Sequence, residues 1–256
     1  REHSIWVPDD VGLTSPVEKL AFFQRELAPG KLKAPRGGLK DHNKDGSIDW
    51  KDLTFHKEAI YKLTDTDRDG VADKLTLFAE GFNSPVSGIA AGVLYHDGWV
   101  YVTAIPDVWR LKDTDGDGVA DLKELIATGF GGHIAYAGHD MHGLRLGPDG
   151  RIYWSIGDKG LNVTSKEGKP FPFPHQGAVV RCEPDGKNFE VFAHGVRNIQ
   201  EIAFDDLGIR QAMVKLYALQ SDNKKQLTLE MKAISEHWKP FRSTACLALW
   251  KFKDNR

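Results

Sequence analysis

Apolar and polar positions in the first two hundred residues fall into short β-rich runs that break at Asp-Gly turns. Trp99-Val-Tyr-Val102 follows His96-Asp-Gly98, and Arg151-Ile-Tyr-Trp-Ser-Ile156 follows Pro148-Asp-Gly150. Runs of this kind read as antiparallel hairpins. The pattern also repeats. The segment from Ile60 to Asp73 recurs from Val108 to Asp121, displaced by 48 residues, and each copy precedes an apolar-Ala-x-Gly-apolar stretch, Phe78 to Phe82 and Ile126 to Phe130. A looser third copy runs from Val179 to Gly186 and resumes at Phe192. Each unit reads strand, Asp-Gly turn, strand, loop, strand, Asp-Gly turn, strand. A four-stranded unit with a period of roughly 40–50 residues is the blade of a β-propeller, which needs a neighbour on each face. A β-sandwich with similar turns is the alternative, and near-identity at a fixed offset argues against it. The expected fold is therefore all-β: an incomplete propeller of about three blades with a short helical N-terminal extension and a non-propeller C-terminal tail. The alignment of copies puts Cys182 where Leu63 and Leu111 fall, the place of a small buried hydrophobe.

The flanks carry helical patterns. Ser15-Pro16-Val-Glu18 is a helix start, with a capping Ser, Pro at the first helical position and Glu at the third. The helix should run through Leu20, Phe22, Phe23 and Leu27 and stop at Pro29-Gly30, packing on the propeller as an accessory. In the tail, Gln226 to Trp238 predicts an amphipathic helix through Leu227, Leu229, Met231 and Ile234. The expected organisation is an extension over residues 1–55 with an Asp-rich loop, a partial propeller over 56–208, and a tail over 209–256.

Composition changes this picture in one place. Over 256 residues the chain has a net charge of −2, 41% hydrophobic and 27% charged residues, which excludes a disordered, collagen-like or coiled-coil chain. No apolar run approaches the ~18 residues of a membrane-spanning helix. The charge balance gives no footprint for nucleic acid, and two cysteines make no disulfide framework. The averages hide a break. All 26 glycines lie at or before Gly208, in a segment with 24 Lys+Arg and 32 Asp+Glu; from Ile209 onward there is none, with 10 Lys+Arg against 4 Asp+Glu. Where a third blade should continue, the repeat stops. Such a shift at one residue is what a frameshift or fused reading frame produces, so 209–256 is expected not to be evolved propeller sequence. A half-propeller leaves a bare blade face and open strand edges unless a partner covers them.

Three aspartate loops carry candidate metal chemistry. Asp113-x-Asp115-x-Asp117-Gly118-x-x-Asp121-x-x-Glu124 has the one, three, five, nine and twelve spacing of a calcium loop, where carboxylates on a tight turn converge on one point. The loop from Asp41 through Asn43, Asp45 and Asp49 to Asp52 shares it. A third, from Asp65 through Asp67 and Asp69 to Asp73, has Thr76 at the twelfth position and lacks the closing carboxylate. Strand flanks around the last two copies point to a structural ion rather than an EF-hand sensor. The competing reading is a metal-free Asp/Gly hairpin turn.

The segment from Gly131 to Gly143 gathers His133, His139, Asp140 and His142 and leads into strands that end at Asp158-Lys159. Several histidines with carboxylates near a strand end suggest a proton-transfer site in which a carboxylate orients an imidazole. The run from His139 to Gly160, His-Asp-Met-His-Gly-Leu-Arg-Leu-Gly-Pro-Asp-Gly-Arg-Ile-Tyr-Trp-Ser-Ile-Gly-Asp-Lys-Gly, resembles the signature of the soluble glucose/sorbosone dehydrogenase superfamily of six-bladed quinoprotein propellers. His194-Gly-Val-Arg-Asn-Ile-Gln-Glu-Ile-Ala-Phe204 is similar to that superfamily's Gly-x-Arg-Asn-Pro-Gln segment. The Asp-Thr-Asp-Gly-Asp-Gly turns narrow the resemblance to the bacterial membrane-bound dehydrogenase family, and it spans roughly residues 50–208.

The resemblance implies a sugar or aldose dehydrogenase that uses pyrroloquinoline quinone (PQQ) and calcium. It implies His139 as the base that takes the sugar hydroxyl proton, Asp158 as the carboxylate that orients it, and Arg197 with Asn198 on the quinone oxygens. His142, which has no clear counterpart, competes with His139 as base and joins Lys159 among the cofactor-facing candidates. Lys159 stands where the family has Gln or Arg, and Ile199 where it has Pro. The resemblance also implies a periplasmic or exported protein of the bacterial envelope and a c-type cytochrome as electron acceptor. No Cys-x-x-Cys-His occurs for covalent haem, and no glycine-rich dinucleotide fingerprint for nicotinamide. With blades missing, weak or absent activity is expected of this chain. The alternative function is a non-catalytic, calcium-stabilised propeller that binds carbohydrate or protein.

Overall fold

A computed structural model describes residues 12–35, 39–134, 139–199, 213–219 and 224–237. The chain divides into two compact units, Arg1–Ile202 and Ala203–Arg256. The first is mostly antiparallel β-sheet with few helices.

Helix α1 spans Pro16–Glu26, where the sequence places it. The Ser15 side chain accepts the Glu18 amide, and Pro16 opens the first turn. Its apolar stripe, Phe22 and Phe23 with Leu27, packs on Leu39, Leu53, Val86 and Ile134. A 3-10 turn at Trp50–Thr54 follows the first aspartate loop. There Asp49 and Asp52 cap each other reciprocally, so both carboxylates serve backbone amides.

Twelve strands follow among the described residues. β1 (Glu58–Thr64) and β2 (Lys74–Gly81) form a two-stranded sheet across the Asp65 loop. β3 (Ala90–His96), β4 (Trp99–Ala104), β5 (Asp107–Lys112) and β6 (Leu122–Thr128) form a four-stranded meander, the middle sheet, with the Asp113 loop between β5 and β6. The third sheet has the order β7 (Met141–Leu146), β8 (Ile152–Ile156), β11 (Gly177–Cys182), β12 (Glu190–Val196). Between β8 and β11 the chain makes an extra hairpin, β9 (Leu161–Thr164) with β10 (Pro170–Phe173). The two copies displaced by 48 residues thus correspond to β1–β2 and β5–β6. The first four-stranded sheet uses the Asp97-Gly98 turn, where Asp97 has φ 49° and Gly98 φ 78°, both left-handed and suited to an Asp-Gly hairpin.

Sheets stack through apolar faces. The middle and third sheets enclose the main core, with Tyr101, Val108 and Ile126 on one side and Ile152, Trp154, Ile156, Val180 and Cys182 on the other. Phe130, Phe171 and Phe189 complete it with Trp154 in edge-on contacts, Phe130 to Trp154 at 5.9 Å. Cys182 is buried where the repeat puts it, and burial pushes its thiol up to about 12. A second core joins β1–β2 to the opposite face of the middle sheet, through Ile60, Phe78 and Phe82 against Val102, Ala104 and Leu111. Tyr101 and Arg110 both donate to the Pro184 carbonyl, at 3.0 Å each, fastening the middle sheet to the β11–β12 turn.

In the second unit, helix α2 (Lys224–Glu236) covers the described part of the helix expected at Gln226–Trp238. Met231 buries against Met213, with Leu227 and Ile234 beside them. The composition break at Gly208–Ile209 and the tail beyond residue 237 lie outside the described residues. No described helix is long and apolar enough to cross a membrane.

Candidate functional site

His139 enters the site from the segment before β7, and Asp158 from the turn after β8. The register of β7 on β8 pairs Met141 with Ile156 and so brings the two together. The His139 Nδ1 and an Asp158 carboxylate oxygen lie 2.5 Å apart. Gly157 makes this approach possible: a Cβ there would stand 2.8 Å from the His139 carbonyl oxygen and 2.9 Å from its Cα. The imidazole is buried, while Asp158 keeps 29% of its side-chain surface. On the open side, Arg197 Nε is 3.8 Å from the other Asp158 oxygen, and its side chain is 73% exposed. The Asp158 amide also donates to the Arg197 carbonyl at 2.7 Å, fixing the end of β12 beside the β8 turn. One carboxylate therefore bridges an imidazole and a guanidinium that are 58 positions apart in the chain. A carboxylate on Nδ1 orients an imidazole and leaves its basic lone pair on Nε2.

The other candidates sit around this pair differently. Asn198 follows Arg197, and its Oδ1 is buried with no hydrogen-bond partner among the described residues. His142 lies half-buried on β7 opposite Ser155, whose hydroxyl donates to its carbonyl at 3.2 Å. Lys159 turns inward. Its ammonium is buried and lies 2.8 Å from a carboxylate oxygen of Asp140, itself buried.

Sequence reasoning missed the residue behind this inner pair. Lys19 of α1, a helix read as an accessory, is fully buried and donates to the Gly131 carbonyl at 3.0 Å. Burial, followed by the nearby charge of Lys159, lowers its amine to about 7, with Asp140 pulling the other way. The signal was present: Lys19 shares the stripe of Phe22 and Phe23, three and four positions on, where a surface lysine does not belong. Gly132 admits the start of the helix, since a Cβ there would meet the Ser15 amide nitrogen at 2.6 Å.

The depressed Lys19 amine gives a pH signature. Unfolded, it titrates near its ordinary value of 10.5; folded, near 7. Between those values the unfolded chain holds the extra proton. Its contribution is therefore least favourable below about pH 7 and recovers as pH rises toward 10.5, with a slope of about 1.4 kcal/mol per pH unit. Urea unfolding from pH 7 to 9 should show that slope in the native chain, and Lys19→Met should remove one proton's worth of it.

The aspartate loops converge in part. Carboxylate oxygens of Asp113, Asp115 and Asp117 lie within 4.8 Å of one another, and so do those of Asp65, Asp67 and Asp69. The other two expected ligands are engaged elsewhere: Asp121 accepts from the Thr114 hydroxyl at 2.7 Å, and Glu124 on β6 pairs with Arg110 on β5. In both loops the first aspartate accepts the backbone amide five residues on, Gly70 at 2.8 Å and Gly118 at 2.9 Å. These turns close on their own hydrogen bonds, as Asx turns do. In the Asp41 loop, Asp52 accepts the amides of His42 and Asn43.

No curated protein and no solved structure matches the chain. A family model, described as a domain of unknown function, matches residues 40–237, which takes in every sheet and the whole His139–Asp158–Arg197 arrangement. The chain belongs to that family, DUF7133.

Proposed function

We propose that this is part of a β-propeller oxidoreductase of the quinoprotein type, in which His139 takes the proton from a sugar hydroxyl or aldehyde hydrate. The observation that carries this reading is the bridging of His139 and Arg197 by Asp158. Donation from Nδ1 to Asp158 fixes the tautomer, so that Nε2 is the proton acceptor, and the carboxylate stabilises the imidazolium that results. The arrangement is that of a general base with its orienting partner, followed by a cation on the solvent side.

An anionic quinone asks for a guanidinium and for polar atoms that lack partners. Arg197 supplies the first, and the unpaired Asn198 Oδ1 suits a ligand N–H or O–H. Lys159 does not fit this role, because its ammonium is held on Asp140 inside the body. Bound PQQ would supply a two-electron acceptor for hydride. Arg197 would hold its oxygens and balance the charge that grows on them. Asp113, Asp115 and Asp117 would hold a structural calcium at the β5–β6 turn. An exported location, sugar substrates and a c-type cytochrome acceptor belong to the same proposal.

The test is quinone binding and dye reduction by the full chain with PQQ, calcium and a panel of aldoses. Quinone absorbance should shift on binding. His139→Ala should lower turnover on the order of 10²–10⁴-fold with binding retained, whereas Arg197→Ala should weaken quinone binding itself. No absorbance shift and no turnover would overturn the dehydrogenase reading. Glycan binding under those conditions would favour the non-catalytic scaffold.

A further inference from the structure

Each sheet presents the same kind of face to the next one. In β1–β2 this face carries Ile60 and Phe78, which pack on Val102 and Leu111 of the middle sheet. At the matching positions in the middle sheet, Val108 and Ile126 pack toward Val180 and Cys182 of the third. A cation accompanies each presenting face and reaches the β-turn of the sheet it meets. Arg110 donates to the Pro184 carbonyl at 3.0 Å. Lys62 lies near the Asp113 loop: burial opposes ionisation of Asp113, but the amides of Gly116 and Gly118 and then the Lys62 charge hold its carboxyl below the usual range. The contact is thus built twice inside one chain, always with the presenting face of the earlier sheet on the receiving face of the later one.

Among the described residues, one receiving face and one presenting face are left over. On β1–β2 the receiving positions are Tyr61 opposite Leu77 and Leu63 opposite Leu75. These four side chains are between 40% and 69% exposed, whereas Leu111, the counterpart of Leu63, is 1% exposed. On the third sheet the presenting positions are Val179 and Phe192, with Arg181 as the accompanying cation, its guanidinium stacked 4.9 Å from the Phe192 ring centroid and Phe192 44% exposed. Arg181 corresponds to Lys62 and Arg110 by alignment of the copies, and like Arg110 it pairs with a glutamate on the neighbouring strand. It also pairs with Asp149 at 3.0 Å and donates to the Tyr153 hydroxyl at 2.7 Å, so it meets a partner as an already ordered, half-buried cation. The turn that closes the bare sheet is the acidic loop of Asp65, Asp67 and Asp69.

We propose that a second copy of this chain covers the bare face of β1–β2 with the outer half of its third sheet, laying Phe192 on Leu63 and Leu75 and turning Arg181 toward the Asp65–Asp69 loop. The match is one of shape class and of charge. It repeats the apolar contact that the chain makes with itself and sets a guanidinium against three carboxylates. Because each copy carries both faces, the contact is heterologous, and it either closes a pair or runs on as a chain of copies.

Sedimentation velocity on the full chain, from nanomolar to high micromolar concentration, tests this. The native protein should self-associate reversibly. Leu63→Glu, at a surface position that leaves the cores untouched, and Phe192→Glu should each abolish association with little change in thermal unfolding; Arg181→Gln is the milder second variant on the same face. The decisive sample mixes the two glutamate variants. One keeps the presenting face and the other keeps the receiving face, so together they should form a one-to-one pair that neither forms alone. A native chain that sediments at the single-chain mass throughout would overturn the proposal. So would association that survives Leu63→Glu, or that is lost in Leu63→Glu but kept in both third-sheet variants, since the last result means like faces pairing.

Discussion

Replacing Asp140 with alanine should lower the unfolding free energy by about 3–5 kcal/mol, the typical effect of removing one partner from a buried ion pair. Asp140 is 2% exposed, and Lys159 reaches it at 2.8 Å from an equally buried position. Lys19 adds a second buried amine, which already feels both groups. Without the carboxylate, the two amines keep their buried positions and lose the counter-charge that Asp140 supplies. Chemical denaturation at pH 7 reads the loss directly. Combining Asp140→Ala with Lys19→Met separates the causes: if charge is the reason, the second substitution recovers part of the loss, giving a coupling of the size that neighbours in one network show. A double variant that is only the sum of the two would place the effect in packing.

Trp154→Ala should be comparably severe, about 3–5 kcal/mol, and Trp154→Phe markedly milder. Trp154 is fully buried between the middle and third sheets, in contact with Phe130 and Phe189 at 5.9 Å each. Alanine leaves a large void there. Its indole Nε1 is buried with no hydrogen-bond partner among the described residues. Phenylalanine keeps a ring in the same aromatic cluster and deletes an N–H whose burial is unfavourable, so part of the lost packing is offset. Thermal unfolding of both variants tests the ranking. Equal losses would mean that the N–H is satisfied in solution.

Periodicity and turn chemistry carried most of the sheet organisation. The 48-residue offset located β1–β2 and β5–β6, the Asp-Gly pairs located the turns, and Ser15-Pro16 located α1, because these are local rules with a fixed period. The extra hairpin β9–β10 was not legible, since Pro170-Phe-Pro-Phe173 has no alternation that separates a short strand from a loop. In the site, the proximity of His139, Asp158 and Arg197 was expected from family resemblance and not from spacing. The inner charges were not foreseen at all. Which way Lys159 turns depends on Asp140 and on α1, and neither is visible from Lys159's own neighbourhood in the sequence. The aspartate loops show the same limit: spacing anticipates that Asp113, Asp115 and Asp117 converge, but not that Glu124 sits across from Arg110, because the strand register decides that.

Cys182 has a consequence of its own. A thiol pushed up to about 12 and sealed between two sheets holds almost no thiolate at neutral pH, so alkylating reagents cannot reach or use it while the sheets stay together. Its reactivity therefore works as an internal clock for opening, and the rate of labelling at that one sulfur reports how often the middle and third sheets part company.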